Sequence, residues 1–131
     1  MRVLLDTHIL LWALAEPRRL DRGLRATIES SDTEVLFSAA SIWEIAIKSG
    51  LGRSDFAFDA EEIAQAALDT GFTEVAVRAK AVALVARLPL LHRDPFDRVL
   101  VAQAIVEPAT LYTADQQLVP YSDLVRHVGS T

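Results

Sequence analysis

His92-Arg93-Asp94-Pro95-Phe96-Asp97-Arg98-Val99-Leu100-Val101-Ala102-Gln103-Ala104 is the stretch around which the rest of the chain arranges itself. Asp94 stands where a helix N-cap would, Pro95 suits the first helical position, and Asp97 falls three residues after the cap. Phe96, Val99, Leu100 and Ala104 then share one helical face, so the spacing predicts a helix with one side to bury. Acids in a first turn accept orphan N–H groups and suit the helix dipole, so alone this is a good helix start. The rest of the chain gives it more weight, because the same arrangement recurs.

Working outward toward the C-terminus, Glu107-Pro108 stops the helix and residues 109–112 read as a strand. Thr113-Ala114-Asp115 follows at once, then a single turn over 116–118 and a terminal strand over 124–128. Toward the N-terminus, residues 77–87 are helical, 72–75 a short strand and 59–70 another helix. Gly50-Leu51-Gly52 is a turn after a helix over 38–48, which itself follows a strand over 34–37. In that helix Ser41 and Glu44 have capping-box spacing, which would make Glu44 structural; if Ser38 is the cap, Glu44 is free to face outward from the strand ends. Residues 20–30 read as a helix bearing Arg22 and Arg25, with Arg18 and Arg19 just before it. Val3-Leu4-Leu5 is a buried first strand ended by Asp6, and Ile9, Leu10, Ala13 and Leu14 make a helix that Pro17 closes.

Strands alternating with helices predict an α/β layer fold around a parallel sheet with right-handed crossovers, as one domain over 1–131. With 51% apolar and 24% charged residues the chain is globular. The absence of cysteine removes disulfides and thiolate metal sites and fits a reducing cytoplasm. No apolar run approaches the ~18 residues that span a membrane, and no signal-peptide pattern is present. A net charge of -5 argues against coating nucleic acid by bulk electrostatics, though not against a local basic patch.

In a parallel sheet every strand's C-terminal end lies along one edge, where ligands bind. Asp6 follows strand one, Glu44 lies in the helix after strand two, and Asp115 follows strand four. Asp94 and Asp97 begin the helix that leads into strand four, so they map to the same edge. Each like-charge pair at ~5 Å and an effective dielectric near 20 costs about 3 kcal/mol, which calls for a counter-ion. A hard divalent cation, Mg²⁺ or Mn²⁺, suits all-oxygen ligands and phosphoryl chemistry.

These segments resemble the PIN-domain family, and within it the VapC-type toxins of type II toxin–antitoxin pairs. The likeness rests on Leu4-Leu5-Asp6-Thr7-His8-Ile9-Leu10-Leu11-Trp12, on Ser38-Ala39-Ala40-Ser41-Ile42-Trp43-Glu44-Ile45-Ala46-Ile47-Lys48, on 94–104 and on Thr113-Ala114-Asp115. It implies a PIN-like three-layer α/β/α fold with four to five short parallel strands, and a metal-dependent endoribonuclease acting on RNA such as a tRNA or another structured RNA. It implies Asp6, Glu44, Asp97 and Asp115 as metal-binding and catalytic acids, with Thr7, Asp94 and Thr113 in support. Asp94 is acidic in the similar toxins and is also readable as only the cap of the helix bearing Asp97. The likeness further implies a VapB-type antitoxin partner and a homodimer. Arg18, Arg19, Arg22, Lys48, Arg53, Arg93 and Arg98 are candidates to contact RNA phosphates, Arg93 and Arg98 first because they flank the acids, with Arg98 alternatively pairing with Asp97 or Asp94. His8 and His92 are expected to be packed or hydrogen-bonded, with a general-base role the alternative for His8, and Trp12 and Trp43 to pack in the core or a dimer contact, with stacking on bases the alternative. A haloacid-dehalogenase-like phosphatase would need an acid where His8 stands. A catalytically silent PIN-like interaction module is the rival of another class.

Overall fold

The computed structural model describes residues 1–129. Its centre is a five-stranded, all-parallel sheet in the order β3-β2-β1-β4-β5. The strands are β1 (Arg2–Leu5), β2 (Glu34–Ser38), β3 (Thr73–Val75), β4 (Thr110–Thr113) and β5 (Val125–His127). Six α-helices connect them: α1 (Thr7–Ala15), α2 (Arg22–Glu29), α3 (Ala39–Gly50), α4 (Ala60–Thr70), α5 (Ala79–Val85) and α6 (Pro95–Val106).

Alternation in β1 sorts the core onto both faces. Val3 and Leu5 join Ile9 and Leu10 of α1, Leu24 of α2, Ile45 of α3 and Ile63 of α4 on one side. Leu4 faces the other way, with Leu36, Leu111 and the α6 residues Leu100, Val101 and Ala104. The result is the expected three-layer α/β/α arrangement. β1 has β2 on one side and β4 on the other, so the chain reverses its direction of sheet-building between β1 and β4. That switch point opens a crevice at the strands' C-terminal ends.

Helix starts follow the sequence signals. Asp6, Asp21, Asp59 and Asp94 each accept a backbone N–H at the N-cap of α1, α2, α4 and α6. The arginine-rich segment departs from one continuous helix: Pro17–Arg19 forms a 3₁₀ turn and α2 begins only after its cap, Asp21. Ser38 caps α3 through Ala40 N, which removes the alternative in which Ser41 caps and Glu44 serves the cap. Ser38 Oγ also reaches Gln103 Oε1 of α6 at 2.5 Å, and Gln103 Nε2 donates to Ala76 O at 3.3 Å. This buried amide joins the β2–α3 junction, α6 and the chain entering α5. Trp43 does not pack in the core: it is 62% exposed and stands edge-on to Phe96, with ring centroids 5.0 Å apart.

Candidate active site

A cavity of about 660 Å³ lies over the β1–β4 switch point, and Asp6, Glu44, Asp94, Asp97 and Asp115 all line it. Each arrives by a different local rule. Asp6 terminates β1 and caps α1, with Oδ1 accepting Ile9 N at 2.8 Å. Glu44 stands in the second turn of α3, Asp94 and Asp97 open α6, and Asp115 ends the loop leaving β4.

Most of these carboxylates are already held by the protein. Asp6 Oδ2 accepts Thr113 Oγ1 at 2.5 Å and Ala114 N at 2.9 Å. Burial pushes the Asp6 carboxyl above the usual range, and the Thr113, Ile9 and Ala114 donors oppose that. Thr7 Oγ1 lies 2.5 Å from Glu44 Oε1 and 3.0 Å from Ser41 Oγ. A hydroxyl has one proton, so Thr7 donates to the carboxylate and Ser41 donates into Thr7. Thr7 and Thr113 thus each orient an acid, as supporting residues would.

Lys48 Nζ donates to Glu44 Oε2 at 2.5 Å and to Asp94 Oδ2 at 3.2 Å, its side chain 15% exposed. Burial works against that ammonium, but the two carboxylates outweigh it and hold its pKa above the ordinary lysine value. Asp94 divides its oxygens between this contact and the cap bond to Phe96 N at 2.9 Å. It therefore caps α6 and neutralises Lys48 at once. The resident counter-ion that the sequence reading assigned wholly to a metal is in part this lysine.

His92 enters the site in a way its sequence position did not signal. Nδ1 accepts Asp94 N at 2.9 Å, which puts the ring proton on Nε2, and Nε2 meets Asp115 Oδ2 at 2.7 Å. Asp115 Oδ1 accepts Gln117 N, so both of its oxygens are oriented.

Asp97 is the exception. The nearest partner for its carboxylate is His92 Nε2 at 3.6 Å, outside hydrogen-bond range. Burial, then the negative charges of Asp94, Asp6, Glu44 and Asp115, push its pKa up to about 8. All four line the same cavity as Asp97, so the acids form a single cluster. Among the described residues, one ligand atom each from His92, Asp97 and Asp115 lie within 4.8 Å of one another. Asp6 and Glu44 lie deeper, 4% and 3% exposed. A carboxylate oxygen that accepts one hydrogen bond keeps a second lone pair, so all of these acids remain able to take a hard cation.

The basic candidates divide. Lys48 is in the cluster but spent on carboxylates. Arg98 is not at the site: it donates to Val85 O at 3.1 Å and Leu88 O at 3.0 Å, closing the end of α5. That orientation gives the carbonyls at and just beyond the end of α5 a side-chain donor; it corrects the expectation that Arg98 pairs with Asp97 or Asp94 and directs it away from the RNA phosphates it was a candidate to contact. Arg93 is exposed and does not line the cavity. His8 lines it, with Nε2 3.3 Å from Asp55 Oδ2 and its ring 5.0 Å from that of Phe56.

Comparison with known proteins agrees with this architecture. The sequence model of the PIN domain matches residues 3–123. The chain is 35% identical over 120 residues to Ribonuclease VapC22 of Mycobacterium tuberculosis, covering 88% of each protein. In fold it resembles the crystal structure of VapBC2 from Rickettsia felis bound to a DNA fragment from their promoter, with a TM-score of 0.72 at 16% identity over 98% of this chain and 99% of that one. The match along nearly the whole chain and the parallel sheet with acids gathered at its switch point lead to one assignment: the chain belongs to the PIN-domain family.

Proposed function

We propose that this chain is a metal-dependent endoribonuclease, the toxin of a toxin–antitoxin pair, built as one PIN domain and working in the cytoplasm. The observation that carries the reading is a cluster of acids from separate segments in which one member, Asp97, has no hydrogen-bond partner among the described residues. The 35% identical relative is itself a ribonuclease by name, which supports RNA as the substrate. Among the described residues no helix is long and apolar enough to cross a membrane.

Asp6, Glu44, Asp97 and Asp115 would hold the cation, Mg²⁺ or Mn²⁺, and no cysteine competes for a softer metal. When bound, such an ion supplies charge for the phosphate oxygens and acidifies a water. The chain's own part is preorganisation. Thr113 and Ala114 fix Asp6, Thr7 and Lys48 fix Glu44, and His92 fixes Asp115, so little reorganisation is needed when substrate arrives. Asp97 would have to release its proton to serve as a ligand, which makes it the member whose charge depends most on what fills the cavity.

The partner proposed for this toxin is a VapB-type antitoxin, and a protein encoded in the neighbouring reading frame should suppress its activity. A homodimer is proposed on the exposed apolar face that Trp43, Val77, Val82, Phe96 and Val99 make between α3, α5 and α6.

The test is incubation of the purified chain with a mixed RNA pool in Mg²⁺ or Mn²⁺, beside reactions containing EDTA or the Asp6→Asn variant. Cleavage that requires both the metal and Asp6 supports the reading. Intact RNA in every lane overturns it.

A further inference from the structure

An acid cluster repels the polyanion it must cleave, so ground-state affinity for RNA has to come from elsewhere in the cavity. The basic residues lining that cavity are Lys48, Arg19 and Arg53, apart from its histidines, and Lys48 is committed to Glu44 and Asp94. Arg19 pairs with Glu16 and Arg53 with Asp55, neither of them a cluster acid, and the two arginines are 46% and 50% exposed.

A row of rings leads to them. The Arg19 guanidinium lies 4.3 Å from the centre of the Trp12 ring, and Trp12 neighbours His8 at 6.3 Å. His8 neighbours the buried Phe56 at 5.0 Å, and both Lys48, at 5.0 Å, and Arg53, at 5.3 Å, lie against the Phe56 ring. Stacking holds each planar guanidinium in place before any ligand arrives. Their carboxylate partners, Glu16 for Arg19 and Asp55 for Arg53, are surface groups about half exposed. Exposed ion pairs of that kind are weak and screened by salt, so phosphate oxygens can replace them.

Resting on the nuclease reading above, we propose that Arg19, Arg53 and Trp12 form a nucleotide subsite beside the acid cluster. In it the two guanidiniums hold RNA phosphates next to the scissile one, and a base stacks against Trp12. The strand then crosses α1 in a fixed direction, from the acids toward the Ser54–Phe56 turn. Stacking tolerates any base, so the subsite sets position along the strand more than sequence.

The experiment is fluorescence anisotropy of a labelled single-stranded RNA bound to the Asp97→Asn protein in Mg²⁺, repeated across salt concentrations. Added Arg53→Gln or Arg19→Gln should each weaken binding about fivefold and reduce the salt slope of log Kd by about 1. Arg53→Lys should restore the slope but only part of the affinity. Trp12→Leu should weaken binding with the slope unchanged, and Lys80→Gln on the exposed α5 surface should alter neither. Melting temperatures matched to the parent show that each variant is folded. If both arginine variants bind like the parent while the wild type still cleaves RNA, the subsite is wrong and the nuclease reading stands. If they keep RNA affinity but escape inhibition by the neighbouring-frame protein, this lobe is a protein contact and the proposal falls. If the wild type neither binds nor cleaves RNA, both ideas fall together.

Discussion

Replacing Asp97 with Asn should stabilise the metal-free protein in alkaline buffer while destroying its function. The unfolded-chain value for an aspartate is about 3.9, and burial among four other carboxylates raises the native value to about 8. Between those limits the native state holds a proton that the unfolded chain has released, so stability declines as pH rises. The contribution is full below the unfolded value and is lost as pH climbs through about 8. Each pH unit in that window costs the native state at most about 1.4 kcal/mol, or about 4 kcal/mol between pH 5 and pH 8. Water reaches the 18% exposed side chain, and Lys48 offsets part of the surrounding negative charge by pairing with Glu44 and Asp94, so we expect about 2–3 kcal/mol in practice. Asparagine cannot ionise and lacks this slope. Urea unfolding in EDTA should therefore find Asp97→Asn more stable than wild type at pH 8 by about 2 kcal/mol, the two converging near pH 5. Mg²⁺ should reverse the order, because a hundredfold excess over its Kd adds about 2.7 kcal/mol to a protein that binds it. Every other titrating group is common to both proteins, so the difference isolates Asp97. Parallel pH profiles in EDTA would refute the reasoning.

Three further outcomes follow from the same geometry. Lys48→Met leaves Glu44 buried and unpaired and should lose about 3 kcal/mol in EDTA at pH 7.5, read as a shift in urea midpoint, with part recovered in Mg²⁺. Arg98→Met uncouples the end of α5 from α6 and should lose about 1–3 kcal/mol in the same assay, with Mg²⁺ affinity by calorimetry unchanged; a change in affinity would return Arg98 to the site. Thr113→Val removes the hydroxyl that orients Asp6 and should lower metal affinity about tenfold to a hundredfold, whereas a drop in stability with affinity intact would make Thr113 merely structural.

How far the sequence carried these conclusions depended on the range of each interaction. The order of elements and the capping role of Asp94 are local, because that cap and its N–H partner are two residues apart. The gathering of acids at one edge followed from parallel topology alone, which needs no side-chain detail. What sequence did not reveal lies in pairings between distant segments. Thr113 meets Asp6 across 107 positions, Lys48 meets Asp94 across 46, and His92 meets Asp115 across 23. Arg98 illustrates the opposite trap: it follows Asp97 directly, yet successive helical residues diverge and it turns back to α5. For Trp43 the helical spacing leaves core and dimer contact both open, and its position on α3, facing outward beside Phe96, removes the core.

The buried amide of Gln103 has a consequence for how this protein can vary. Glu44 and Asp97 ride on different helices, and the separation of those helices could have been left to the bulk of the side chains between them. Here Ser38, at the very start of α3, is keyed to α6 by a directional bond, and Ala76 is keyed to the same amide. Directional bonds tolerate little drift in distance, whereas aliphatic contacts tolerate a good deal. The outer helical layer is therefore free to change its residues over time, as a partner's surface changes, without altering the gap across which the acids face one another.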